Sequence, residues 1–405
     1  SGSIGALVAP FTKGPVEEPQ LIESEEDLLQ TFGQPYSIDN HYEYWMVASS
    51  FLAYGGTMQV IRADDFNTQT GVGLKNAFVG AATSIRIKSD THYNQLGYDD
   101  NTITGVTVAS KTPGTYANGI RVAIIDAKAD QVLTVSGIST VGLGITQSAA
   151  GRIVAGAGGT SVLDGYIKGI VTEIGTGTIS VKTLAHVSTA GTVTNVNYQN
   201  GGVYNFTTGN ISASAAGTNV GGTPQSVTAA TDWFEQQNIV LTQTDTNGNP
   251  ISLEWDQLAD APGTSSYVGA RGGRFDELHV VVIDDKGTIT GNAGTILEKH
   301  LNLSKAKDAE YSVGSTAYWR KYLATNSQYI YGGSAPAGIT TTGFTDGTAT
   351  AVGNLDADSG WDQDANGVNF GVSGVVTASL SGGTNYGDKT DYTTVGALTS
   401  GVDDL

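Results

Sequence analysis

Five histidines could in principle hold a metal or carry a proton: His41, His92, His186, His279 and His300. No two of them lie at the i, i+4 or HExxH spacing that sets two imidazoles on one helix face. They read as packing or surface residues, and His41 sits near a helix start, where the dipole disfavours an imidazolium. Adjacent acids at Asp64/Asp65, Asp99/Asp100 and Asp284/Asp285 could supply a general acid and a general base. Neighbours along a strand point to opposite faces, however, so these pairs are expected to form turns and to solubilise strand ends.

The run WDQDANGVNF places Asp362, Asp364 and Asn366 ahead of Gly367, which matches the first half of a D-x-[DN]-x-[DN]-G calcium loop. The second half fails: Ser373 stands where a bidentate Glu is needed, and no helical pattern flanks the loop. Metal is therefore not expected, and these three residues stand as a partial match only. Asp245, Asn247 and Asn249 in DTNGNP repeat the pattern more weakly, and an NG turn between strands accounts for them. In SGGTNYGDKT the spacing from Gly382 approaches a phosphate loop, but Asp388 precedes Lys389 and Thr390 and sets a negative charge where phosphate would sit. No G-x-S-x-G elbow, no S-x-x-K with its partner motifs and no dinucleotide fingerprint after a strand occurs. No catalytic or cofactor-binding residues are assigned, no cofactor is expected, and the chain does not read as an enzyme.

Composition narrows the class. At 405 residues the chain exceeds what one core usually serves, so two to four domains of roughly 100 to 150 residues are expected. Charged residues make up only 15%, hydrophobic ones 39%, and there are 55 glycines, a profile of short strands, turns and subunit surfaces. Thirty-nine acids against 20 bases give a net charge of −19, which repels a phosphate backbone and argues against nucleic acid as a partner. No run approaches the ~18 apolar residues of a membrane span, so no membrane partner is expected. With no Cys, disulfides, thiolate metal sites and cysteine nucleophiles drop out.

The elements follow from local signals. Ser24 caps a helix over 24–32, with Glu25, Glu26 and Asp27 in its first turn, Leu28, Leu29 and Phe32 as an apolar face and Gly33 as its stop. Asp39 is the expected cap of a second helix, in which Tyr42, Trp45, Met46, Ser49 and Leu52 recur before Gly55 and Gly56. The runs TMQVIRA, IRVAIID (120–126) and LHVVVID (278–284) are β-branched and hardly alternate, which predicts one sheet covered on both faces by helices. Further helices are predicted at 293–303 and 315–325. The fold class expected is α+β and multidomain: a discontinuous mixed α/β scaffold (1–126 with 276–330), an inserted β-rich outer domain (127–275) and a Gly/Thr-rich β or loop segment (331–405). No solenoid-type period is present.

Several of these pieces together resemble the tail sheath proteins of contractile-tailed bacteriophages, in particular those related to the T-even phages. The matching positions are Lys13, Gly14 and Pro15 in the first turn, Phe32 and Gly33 at the first helix end, Tyr54 to Gly56 at the second, and Val60 and Arg62 on the following strand. PGTYANGIRVAII (113–125) is similar to the family's P-G-x-W-G-N-x-[IL]-x-V strand, with Tyr116 and Ala117 in place of Trp and Gly. The run from 275 to 331 resembles the next unit of the family core, with Gly294 leading into a helix.

What the resemblance implies is mechanical. Sheath subunits stack as rings around a rigid tube, held by terminal arms that add strands to neighbouring sheets, and contraction drives the tube through the host envelope. The implied partners are other sheath subunits, the tail tube protein, and the baseplate and tail terminator proteins; the implied location is the tail sheath of the virion, assembled in the host cytoplasm. The chain then reads as a truncated fragment, with 331–405 leading to a missing C-terminal domain, and as a monomer without its terminal arms. Two other classes also fit Gly/Thr-rich β segments bearing Tyr and Trp: an adhesin or carbohydrate-binding protein, and a glycoside hydrolase with Glu254 and Asp256 as nominal carboxylates.

Overall fold

The computed structural model describes residues 4–35, 41–156, 159–196, 203–213, 224–340, 355 and 361–386. The chain opens with β1 (Ile4–Ala9), β2 (Gln20–Ile22), α1 (Glu25–Phe32), α2 (His41–Ala53) and β3 (Thr57–Arg62). Ser24 caps α1 by accepting from the Asp27 N–H at 3.1 Å, and Gly33 ends it at φ 79°, its N–H returning to the Leu29 carbonyl. Asp39, the expected cap of α2, lies outside the described residues. The Tyr54-Gly55-Gly56 stop has a steric cause: Gly55 takes φ 81°, and a Cβ on Gly56 would sit 2.4 Å from the Phe51 ring. Phe11, Leu28, Phe32, Trp45, Leu52, Met58 and Val60 form the core of this unit.

Next come β4 (Phe78–Gly80), α3 (Asp90–Gln95), β5 (Val106–Ser110) and β6 (Ile120–Asp126), followed by β7 (Gln131–Thr134), β8 (Gly144–Ser148), β9 (Ile153–Gly156), β10 (Gly159–Val162), β11 (Tyr166–Ile174) and β12 (Thr178–Val187). After β13 (Val193–Asn195), β14 (Gly209–Ala213), β15 (Gln225–Val227) and β16 (Ala229–Asp232), seven strands from this segment run in the order β15-β14-β8-β11-β12-β7-β16, with β13 added on β12. Its two outermost strands, β15 and β16, are separated in sequence by Thr228 alone, so the sheet curls until its edges meet and is nearly a closed barrel. Leu133, Ile145, Ile167, Val181, Phe206 and Val227 fill its interior.

The hairpin β17 (Asn238–Thr244) and β18 (Pro250–Glu254) leaves that barrel and packs elsewhere. Its Ile239 and Leu241, with Trp233, Phe234 and Trp255, cover Ala123 and Ile125 of β6 and Val281 and Ile283 of β19 (Glu277–Asp284). The β-rich stretch read as 127–275 thus divides in two: 131–232 forms the barrel-like sheet, and 238–254 returns to cover the scaffold. Its short α4 (Ser266–Gly269) stands just before β19.

β19 pairs antiparallel with both β6 and β20 (Thr295–Ser304), and β24 (Val375–Ser379) pairs with the far side of β6. The predicted helix at 293–303 is therefore a strand. Asp284 decides it: its Oδ2 accepts the N–H groups of Ile289 and Thr290, closing the turn that brings β20 back along β19. Pairing then sends Leu297 and Leu303 to one face and Ile296 to the other.

After the small β21 (Glu310–Ser312) and β22 (Ser315–Thr316) comes α5 (Trp319–Asn326), which begins later than the predicted 315, and then β23 (Ile330–Gly332). β23, β5 and β4 form a three-stranded antiparallel sheet. Between it and the four-stranded sheet lie Val108, Val122, Ile124, Val280, Val282, Trp319, Leu323 and Trp361. The double cover expected for IRVAIID and LHVVVID is present, but β strands and α5 supply it rather than a layer of helices. TMQVIR, expected in that same sheet, belongs instead to the separate β1-β3-β2 sheet. The class is α+β with several sheets.

Candidate assembly surface

Among the described residues, the N-terminal sheet is covered on one side only. β3 lies between β1, which runs parallel to it, and β2, which runs antiparallel. Met58, Val60, Ala9 and Ile22 face α1 and α2. The opposite face presents Ile4, Ala6 and Val8 of β1, Thr57, Gln59 and Ile61 of β3, and Leu21 of β2, with Ala6, Gln59 and Leu21 in one cross-strand row. None of these side chains is charged, Ile4 is 75% exposed and Leu21 55% exposed. Among the described residues, the outer edge of β1 has no ladder partner. α2 adds Tyr42, Met46 and Val47 on its outer side, and Tyr54 beyond its end is 94% exposed. An uncharged open sheet face with Ile4 and Leu21 exposed, and a helix with Tyr42, Met46 and Val47 exposed, call for a covering partner.

A buried cation fixes this unit to the scaffold. Arg62, with no exposure at all, donates from Nε to the Phe11 carbonyl at 2.9 Å and from Nη1 to the carbonyls of Gly14 at 2.9 Å and Pro113 at 2.7 Å. The Tyr386 ring stacks against it; the Tyr386 hydroxyl accepts from the Phe11 N–H and donates to the Ala63 carbonyl, and burial pushes that phenol up to about 12. Gly14 takes φ 100°, and a Cβ there would meet the Thr31 carbonyl at 2.6 Å. The K-G-P turn, the V-x-R strand and the P-G-T-Y segment, far apart in sequence, thus meet at one guanidinium.

Two crevices flank the Lys13–Gly14 turn. One, about 340 Å³, is bounded by Lys13, Thr31, Asp90, Lys111, Gln328 and Tyr329. The other, about 460 Å³, is bounded by Lys13, Gln34, Thr115, Tyr116, Thr288 and Asn385.

A second group of buried charges lies where the barrel-like sheet meets the scaffold: one ion pair within each, and Arg274 crossing between them. Lys305 and Asp126, both without exposure, meet at 2.8 Å, and the same carboxylate accepts the Ser373 and Gly374 N–H groups. Lys182 meets Asp130 at 2.8 Å, and Asp130 also accepts the Thr183 N–H. Arg274 reaches from the scaffold to the Leu184 and Val196 carbonyls, and burial lowers its guanidinium to about 10.

The residues singled out for chemistry do not converge. Asp362 accepts from the Tyr318 hydroxyl and lies 3.5 Å from Arg320, while Asp364 and Asn366 are exposed. No group of three or more His, Asp or Glu side chains that could hold a metal occurs among the described residues. His279 is buried between the Asp260 carbonyl and the Asn302 N–H, His300 faces Glu298, His186 faces the Asp164 carbonyl, and His92 accepts the Lys88 N–H. Asp64 pairs with Arg86 and Lys88; Asp285 pairs with Arg121 at 2.9 Å and accepts from Thr242. Asp245 accepts the Asn247 and Asn249 N–H groups, the hairpin turn expected of DTNGNP. Lys389 and Thr390 lie outside the described residues.

Comparison with known proteins adds one local match. Over 68 residues the chain is 38% identical to the tail sheath protein of Enterobacteria phage T4. The similarity is to a tail sheath protein. It takes in 17% of this chain and a tenth of that protein's length, and it supports a sheath relationship in general rather than one to the T-even phages in particular. No family model matches the chain. The solved sheath tail protein Lin1278 from Listeria innocua aligns at 18% identity over 56% of this chain and 35% of that one, with a TM-score of 0.19, too low to bear on the fold. The open sheet face was missed in the sequence, although its signal was there: IGALVA has no polar alternation, so both sides of β1 had to be apolar.

Proposed function

We propose that the chain is a structural subunit of a contractile phage tail sheath, working by assembly and re-docking of near-rigid bodies and not by catalysis. The observation that carries this reading is the local similarity to a tail sheath protein, and the bare, uncharged face of the β1-β3-β2 sheet supports it. In this reading the face is covered by a second copy of the chain. A three-stranded face is small beside the ~800 Å² per partner of a stable pairwise interface, which suits a polymer in which many weak contacts add. The Arg274 bonds from the scaffold to the Leu184 and Val196 carbonyls of the barrel-like segment would let the subunit move as one piece during re-docking. The tube, baseplate and terminator proteins are the further partners proposed, and the virion tail the location.

Light scattering and negative-stain microscopy on the full reading frame that contains this chain test the proposal. Rings or tubes of uniform width are expected. A closed compact oligomer, or a persistent monomer, would sink it and bring forward a glycan-binding role, which a glycan array would then detect.

A further inference from the structure

We infer that the crevice beside Lys13 receives a carboxylate from an Asp or Glu of a neighbouring copy of this chain, an inference that rests on the assembly reading above. The crevice of about 460 Å³ is bounded by Lys13 and by hydrogen-bonding groups of Gln34, Thr115, Thr288 and Asn385, and no Asp or Glu is among the described residues that line it. That is unusual in a chain with 39 acids and 20 bases. Several other buried or half-buried cations are matched by an acid: Arg86 and Lys88 share Asp64, Lys111 has Asp90, Arg121 has Asp285, Lys182 has Asp130 and Lys305 has Asp126.

Lys13 has no hydrogen bond or ion pair from its ammonium among the described residues, although its backbone is held in place. Its N–H donates to the Phe32 carbonyl at 3.3 Å, and its stem lies against Gly33, where a Cβ would come within 3.2 Å of Lys13 Cγ. Burial lowers its pKa. Behind the same turn Arg62 adds a second positive charge whose hydrogen-bonded partners are neutral carbonyls. Two cations with no acid partner among the described residues, beside this crevice, make a local positive field on an otherwise acidic protein. With 39 acids, another copy of the chain can present a carboxylate to that local field.

Zero-length carbodiimide cross-linking decides the matter, because it joins an amine only to a carboxylate in contact with it. The full reading frame is assembled from equal parts of unlabelled and ¹⁵N-labelled protein, cross-linked, and mapped by mass spectrometry. Lys13 is expected in mixed-isotope peptides joined to Asp or Glu. Lys13→Glu is expected to lower the assembled fraction at least tenfold, and Lys13→Arg to keep it within twofold. A Lys13 that stays unlinked, or that links only within its own chain to Asp39, Asp388 or Asp391, overturns the inference. So does a Lys13→Glu protein that assembles normally, and in that case the sheath reading survives. A wild-type protein that never assembles removes both.

Discussion

The Arg62 guanidinium, wholly buried, donates at 2.7 Å to the carbonyl of Pro113, 51 residues further along the chain. It is the link by which the N-terminal sheet is held to the scaffold, and its hydrogen-bonded partners are backbone carbonyls rather than an acid. The geometry explains why an arginine ends β3: three carbonyls in different directions need a planar, multiply donating cation.

Replacing it tests the junction. Arg62→Met leaves the carbonyls of Phe11, Gly14 and Pro113 without this donor, and should cost about 3 kcal/mol. Hydrogen exchange over residues 4–35 is expected to rise along with a lower unfolding temperature, and unchanged protection there would show that the three bonds are not what holds the unit.

At the root of the barrel-like sheet, Lys305→Met removes the cation from a carboxylate that has no exposure. Breaking such a pair costs about 3–5 kcal/mol, because the remaining charge is stranded. Denaturant unfolding should show the loss; a change below about 1 kcal/mol would mean that the Ser373 and Gly374 N–H groups suffice for Asp126.

Asp276 sets a pH dependence. Burial raises its carboxyl to about 6, outweighing the Ser304 and Ser265 donors that pull it down. The unfolded value lies near 4, so protonation favours the folded state. This contribution is complete below about pH 4 and is lost as pH rises through about 6, on the order of 3 kcal/mol. Asp276→Asn cannot titrate and should therefore gain on the wild type as pH rises over that window. A difference between the two proteins that is constant with pH would refute the assignment.

The open sheet face predicts a separation of folding from assembly. Leu21→Lys places a charge where the side chain is already 55% exposed, so the unfolding temperature should move by no more than a degree or two. Assembly of the full reading frame should fall at least tenfold, as measured by sedimentation. Normal tubes from this variant would show that the face is not a contact.

Much of the local structure was legible from residue types. Ser24, the acidic first turn and Gly33 specified α1 because caps are satisfied within a few residues, and the NG turn at 245–249 and the strand character of 120–126 and 278–284 likewise depend on near neighbours. Tertiary structure alone decided the rest. TILEKHLNL has the spacing of a helix, yet β19 needed a partner on its free side and the Asp284 turn delivered one. The barrel closes because Thr228 bridges its two outer strands, a relation invisible until the sheet order is known. Lys13 is an ordinary charged residue on paper; only the fold sets it beside a crevice with no acid among the described residues that line it, because which charges meet depends on contacts between segments hundreds of residues apart.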